Sequence, residues 1–335
     1  MKRSFYGDEA FETITYLEFG SIHLSKQTKS TWAYVMHQEA YDLYMFSRYA
    51  KDLFLFRDVS NLESPTSQDF LNAVMSSSHR KLFFIALKYA GYLVVKDYPK
   101  PIRVCEIGSS LFGLIDEIAA LDAIMNKGRN IACIRQGKYI GCEISDMMNR
   151  GATEFHPQAS FDLHTDSNAS AFLQRSLKYD FFYAHSISLQ YSLRSTAELA
   201  EISRQGSVSV FLQAAFSVKG PKMVDIGTGK KGFHPDLKEW VKLIEIYGLS
   251  AKFYSKGIFF DAVGGDKTNH LLDSLRITLV VGKSDLLDRF VSHFNDISHI
   301  FSASFEEPNL DMDGQWHDLS ELTSFCKNHN FPISI

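Results

Sequence analysis

The chain has 335 residues, 45% hydrophobic and 22% charged, enough to bury a full core in one large domain or two unequal ones. Thirty-five basic and thirty-nine acidic side chains leave a formal charge of −4, which argues against a protein that lives on a nucleic-acid backbone. No apolar run approaches the roughly eighteen residues of a membrane span, and the opening Met1-Lys2-Arg3-Ser4-Phe5-Tyr6-Gly7 lacks the apolar stretch of a secretory signal.

Taken in chain order, the first thirty residues are polar and without clear period. From Thr31 to about Phe56 the residues Trp32, Val35, Met36, Tyr41, Tyr44 and Met45 recur at helical spacing. After a Ser/Pro break at Ser60–Ser67, a second helix is predicted from Gln68 to about Leu93. Residues 1–98 therefore read as a helical N-terminal region, serving as a lid or in acceptor binding. The rhythm then changes to short apolar strands alternating with helices. Strands are predicted at Ile102–Ile107, Tyr139–Ile144, Ser160–His164, Tyr179–Ala184, Val208–Ala214, Ala251–Tyr254 and Leu275–Val281. The intervening helices fall at Phe112–Met125, Asp146–Ala152, Ala169–Leu177, Thr196–Arg204 and Leu237–Tyr247. This alternation predicts an α/β fold over residues 99–284, a doubly wound, mostly parallel seven-stranded sheet. Residues 285–335 form a C-terminal extension that opens with an amphipathic helix at Leu286–Phe294 and ends in polar loops.

In a parallel sheet the ligand lies beyond the carboxyl ends of the strands, so the first strand-to-helix turn is the place to look. It reads Val104-Cys105-Glu106-Ile107-Gly108-Ser109-Ser110-Leu111-Phe112-Gly113. Gly108 ends the strand where a Cβ would hinder the backbone turning beneath a ligand. The small Ser109 and Ser110 keep the turn open, and the next helix presents free N–H groups. His185, just beyond the fourth strand, is a candidate general base because histidine titrates near neutrality; the alternative is a structural histidine.

The turn resembles motif I of the class I methyltransferases, E/D-x-G-x-G-x-G. Glu106 stands at the acid, Gly108 at the first glycine and Ser110 at the second; the third falls on Phe112 or slips to Gly113. The chain is also similar to a methyltransferase-like group linked to surface-sugar pathways, through Ser186-Ile187-Ser188-Leu189-Gln190-Tyr191. The resemblance implies a Rossmann-like sheet holding S-adenosylmethionine. It places Glu143, at the end of the second strand, on the ribose hydroxyls, a role that suits an acceptor-only carboxylate. It further places Asp166, with Asp162 as rival, near the adenine amino group, and Ala184 with His185 in motif IV. The wide spacing from Glu106 to Glu143 calls for an insertion around Asn126–Lys138. The function implied is methyl transfer to a small polar acceptor, such as a sugar or natural-product intermediate, in a cytoplasmic enzyme without nucleic-acid or membrane partners.

Three features compete with this reading. The four cysteines, Cys105, Cys133, Cys142 and Cys326, form no C-x-x-C pair, so no zinc site or disulfide framework is expected and a reduced compartment fits. His156, Asp162, His164 and Asp166 lack a fixed ligand spacing, so no metal is expected. Gly227-Thr228-Gly229-Lys230-Lys231-Gly232 satisfies G-x-G-x-x-G, and would support a nicotinamide oxidoreductase if a βαβ unit followed. Its place after the fifth strand instead predicts a loop over the acceptor pocket, running from Ser217 to His234. A non-catalytic scaffold, motivated by the lost glycines, is the other alternative.

Overall fold

The computed structural model describes residues 14–16, 20–22, 38–77, 81–96, 102–165, 178–225, 231–261, 274–302 and 312–329. A short antiparallel hairpin, β1 (Ile14–Tyr16) and β2 (Gly20–Ile22), precedes three helices: α1 (Gln38–Asn61), α2 (Ser67–Ser77) and α3 (Lys81–Val95). The single helix expected from Gln68 to Leu93 is thus two. The α/β region then runs β3 (Arg103–Ile107), α4 (Leu114–Met125), α5 (Ile131–Arg135), β4 (Lys138–Cys142), α6 (Asp146–Phe155), β5 (Ser160–His164), β6 (Tyr179–His185), α7 (Ser186–Ser192), α8 (Thr196–Gln205) and β7 (Gly206–Ser217). It continues through β8 (Lys222–Asp225), β9 (Lys231–His234), α9 (Leu237–Ile246), β10 (Ser250–Tyr254), β11 (Phe259–Asp261) and β12 (Ser274–Gly282). The remaining elements are α10 (Ser284–Ser302), β13 (Trp316–Asp318) and α11 (Leu322–Asn328). The helix expected at Ala169–Leu177 lies outside the described residues.

The main sheet has nine strands, ordered β13-β10-β12-β7-β6-β3-β4-β5 with β11 also paired to β12. All seven expected strands are present. The count rises because the tail, expected to end in loops, adds β13 along the edge of β10, and β11 adds a short antiparallel segment. Strands β3 to β7 are mutually parallel, while β12 runs antiparallel to both β7 and β10. The chain leaves β3 outward through β4 to β5, then returns to the other side of β3 as β6. That reversal opens a crevice at the carboxyl ends of β3 and β6, where open α/β sheets bind ligands.

Alternation along the strands builds two cores. Val104, Phe181, Tyr183, Val208 and Val210 face α3, α4 and α10, whereas Cys105, Ile107, Phe182, Ala184 and Phe211 face α8 and α9. Helix α3 is almost wholly apolar and lies in the first core with Phe56 of α1 and Phe70 of α2. The expected insertion is the Asn126–Gln136 segment. Asp122 ties it down, accepting from Asn126 Nδ2 at 2.7 Å and from the Asn130 backbone at 3.2 Å.

The long loop expected after β7 is mostly strand. β7 reaches Ser217, with Phe216 fully buried, and β8 and β9 pair antiparallel from Lys222↔His234 to Asp225↔Lys231. The glycine-rich run therefore joins two antiparallel strands, and no strand-turn-helix unit surrounds it; Gly227 and Gly229 themselves lie outside the described residues. Among the described residues no helix is long and apolar enough to cross a membrane.

Candidate active site at the Gly108 turn

The turn after β3 is built from left-handed residues. Gly108 has φ 74°, Ser110 φ 49° and Phe112 φ 54°. For a side chain other than glycine this conformation costs about 1–2 kcal/mol per residue, so Ser110 and Phe112 require compensation. Ser110 receives it from Glu143, whose Oε2 accepts the Ser110 N–H at 3.0 Å. Phe112 receives it from packing: its N–H donates to Ser109 O at 2.8 Å, and its ring lies 5.7 Å from Tyr139 and 5.1 Å from Phe161. The ring fits because residue 141 is glycine; a Cβ there would lie 2.3 Å from Phe112 Cε2. The third glycine position of the motif is thus Phe112. Gly113 adopts an ordinary right-handed conformation, φ −53°, and opens α4.

Gly108 donates to Cys142 O at 2.8 Å, extending the β3–β4 ladder into the turn. A Cβ at Gly108 would lie 2.2 Å from Ser188 Oγ. Two separately noticed sequence features, the Gly108 turn and the Ser188-Leu189-Gln190-Tyr191 segment on α7, are therefore in contact.

Glu143 stands at the end of β4, where its N–H donates to His164 O at 2.9 Å. Its Oε1 accepts from the Ser145 N–H at 3.2 Å. Burial pushes its pKa up, against the opposing hydrogen bonds from the backbone of Ser145, Ser110 and Ile144. A carboxylate has about four lone-pair sites, so these three backbone bonds leave one for a ligand hydroxyl. Helix α1 reaches this corner through Tyr49, which is hydrogen-bonded to the Ser110 side chain and lies near Glu143; burial raises its phenol pKa. The same helix is clasped to the turn lower down. Arg57 donates to both Asp116 oxygens at 3.0 Å and to Phe155 O at 2.8 Å. His156 Nε2 lies 3.2 Å from Leu111 O, and its Nδ1 lies 3.3 Å from Arg57 Nη2. Because a carbonyl only accepts and a guanidinium only donates, the proton sits on Nε2. Burial pushes His156 down to about 4, consistent with this neutral form.

Glu106 lies buried beneath the turn on the α3 face. Lys88 of α3 bonds Glu117 Oε2 of α4 at 2.8 Å, approaches Glu106 Oε1 at 3.6 Å and stands 4.9 Å over the Tyr183 ring. Burial works against the Lys88 charge, but the Glu117 and Glu106 carboxylates outweigh it and raise its pKa. Burial drives Glu106 up to about 7 despite Lys88. Its second oxygen, Oε2, has no hydrogen-bond partner among the described residues.

The remaining candidates divide. His185, at the carboxyl end of β6, lies 6.1 Å from the Phe84 ring and is pushed down to about 4 by burial and then by the Lys88 and Arg276 charges. Ala184 is fully buried in the opposite core, so it can meet a ligand only through its backbone. Asp166 lies outside the described residues, and its rival Asp162 pairs with His164 at 3.1 Å on edge strand β5. Lys88, Tyr49, Glu117 and Ser188 had no assigned role in the sequence reading. One signal was available: Lys88 is the single charge between Leu82 and Val95, and a charge in an apolar helix needs a partner.

No family model matches the chain, and no curated protein matches it. Solved structures do. The plantazolicin methyltransferase BamL, in complex with a triazolic desmethylPZN analog and SAH, is 12% identical over 79% of this chain and 93% of that one, with a TM-score of 0.35. A SAM-dependent methyltransferase from Leishmania major is 13% identical over 69% and 82%, with a TM-score of 0.31. A third, from Clostridium acetobutylicum, is 12% identical over 59% and 92%, with a TM-score of 0.31. Likeness this distant carries no argument about activity, so a functional reading rests on the residues of the site.

Proposed function

We propose that this chain is an S-adenosylmethionine-dependent methyltransferase that acts on a small polar acceptor. The observation that carries the reading is the pairing of Glu143 with the Gly108 turn at the point where strand order reverses. The residues fit the cofactor in three respects. The turn has no Cβ at Gly108, Glu143 keeps acceptor capacity for a ribose hydroxyl, and Glu106 offers a buried carboxylate oxygen in need of a donor. When bound, the cofactor supplies a sulfonium-activated methyl group that leaves by direct displacement.

The chain's own work is then alignment and exclusion of water. Gly108, Ser110 and Glu143 hold the nucleoside end and Glu106 the amino-acid end. Gly113 and the backbone of Ala184 border the same cleft, and Asp166, two residues beyond His164 in the sequence, is the acid assigned to the adenine amino group. Tyr49 and α1 close the turn from above, in keeping with a lid formed by residues 1–98. His185 is neutral at physiological pH and can take the acceptor's proton at an imidazole nitrogen; its low basicity suits an acceptor whose proton acidifies as the new bond forms. The β9 strand of the hairpin packs on α7 and, on this reading, borders the acceptor side. Calorimetric titration with S-adenosylhomocysteine tests the reading. Saturable binding that Glu143→Ala weakens supports it. Absence of heat from the folded wild type removes it in favour of a scaffold role.

A further inference from the structure

We propose that Lys88 is a positioning residue, holding Glu106 ionised so that the unpartnered Glu106 oxygen can receive a cationic hydrogen-bond donor. This rests on the cofactor reading above, in which the donor is the amino-acid ammonium of S-adenosylmethionine. The geometry is a buried cluster drawn from three elements packed on one face of the sheet. Lys88 comes from α3, Glu117 from α4 and Glu106 from β3, with the Tyr183 ring of β6 beneath the ammonium. All three charged side chains are less than 12% exposed. Two carboxylates and one ammonium leave the cluster one positive charge short. A buried negative charge is neutralised by a proton or by a cation, since bare it loses its hydration. The missing charge points to the ligand side, because Glu106 Oε2 is the oxygen without a partner among the described residues and Glu106 lies two residues before Gly108.

The charged and titratable groups around Glu106 are Lys88, Glu117, Tyr183 and, from the end of β4, Glu143. The Glu106 pKa of about 7 places the exchange of proton for cation in an accessible range. Below that value the ligand ammonium must displace a proton; above it, the carboxylate waits ionised. Removing Lys88 raises the pH at which the carboxylate is free, and removing the Glu117 charge lowers it. A residue that merely fills space moves neither.

The test is calorimetric titration of wild type, Lys88→Met and Glu117→Gln with S-adenosylhomocysteine from pH 6 to 8.5, in buffers of different ionisation enthalpy. Wild-type affinity is expected to fall about fivefold from pH 7 to pH 6, steepening toward tenfold per unit below that, with a proton released on binding. Lys88→Met is expected to move that midpoint up by about one unit, a loss of about fivefold at pH 7 and of about tenfold well below it. Glu117→Gln is expected to move it down, with less proton release. Titration of the ligand's own ammonium is common to all three proteins and cancels in the comparison. Coincident profiles, or a Lys88→Met loss equal at every pH, overturn the proposal while leaving the cofactor reading intact. If circular dichroism shows Lys88→Met unfolded, the downward shift in Glu117→Gln decides alone. A wild type that binds no S-adenosylhomocysteine at any pH overturns both.

Discussion

Replacing Gly108 by alanine tests the construction of the turn with a single methyl group. Two costs add. The residue sits at φ 74°, where an L side chain costs about 1–2 kcal/mol. The new Cβ would also lie 2.2 Å from Ser188 Oγ and 2.8 Å from Ser188 Cβ, so α7 must shift, an overpacking cost of about 1–3 kcal/mol. The expected destabilisation is their sum, about 2–5 kcal/mol, measured by urea denaturation. The two parts separate in a double-mutant cycle. Ser188→Gly alone should cost about 1 kcal/mol as a glycine in a helix. Combined with Gly108→Ala it should recover the overpacking share and leave the backbone share. A coupling energy below about 0.5 kcal/mol, the scatter of independent sites, would mean that Ser188 does not sit over Gly108. The contact between the two sequence features would then be wrong.

Glu143→Ala should weaken S-adenosylhomocysteine binding by about 1.5–3 kcal/mol, the scale of hydrogen bonds to a charged group; unchanged calorimetric affinity in a folded variant would take Glu143 out of the site. Arg57→Met strands the Asp116 carboxylate, 1% exposed, without its bidentate partner. It should cost about 3–5 kcal/mol in denaturant unfolding, and a loss below 1 kcal/mol would show that α1 is not clasped there. His156 has a folded pKa of about 4 against 6.5 unfolded, so the unfolded chain binds the extra proton. Its contribution is full above pH 6.5 and is lost as pH falls toward 4. His156→Phe should therefore flatten the stability profile in that window by about 1.4 kcal/mol per pH unit, and an unaltered slope would contradict a buried neutral imidazole.

How much of this was legible in the sequence follows from what each feature depends on. The strands of the parallel core declared themselves because a strand covered on both faces is a continuous apolar run, as Phe181-Phe182-Tyr183-Ala184 illustrates. Boundaries moved where local signals were weak. The break between α2 and α3 carries no proline, and β13 is three residues long with only an edge to pair with. The β8–β9 hairpin was hidden because its glycines advertise a turn without saying which way the chain leaves it. At the site, Glu106, Gly108 and Glu143 were readable because each ends or follows a strand. Lys88, Tyr49 and Ser188 were not, since their partners lie far along the chain: Glu117 is 29 residues from Lys88. Only the oddity of a lysine in an apolar helix hinted at the pairing.

The left-handed backbone at Ser110 and Phe112 bears on how such a turn can be found in other sequences. Serine and phenylalanine stand at these two positions, yet both residues adopt the left-handed conformation that favours glycine. For Phe112 the room is found at residue 141 on the neighbouring strand, where the absent Cβ makes way for the phenyl ring. Positions 112 and 141 thus share one volume. With phenylalanine at the first there is no room for a Cβ at the second; with glycine at the first, the Ser109 hydroxyl, 2.6 Å from that Cβ, must still turn aside. Searches that score the two positions separately will record two unrelated departures; scored as a pair, they describe one shared space, and the turn becomes visible again.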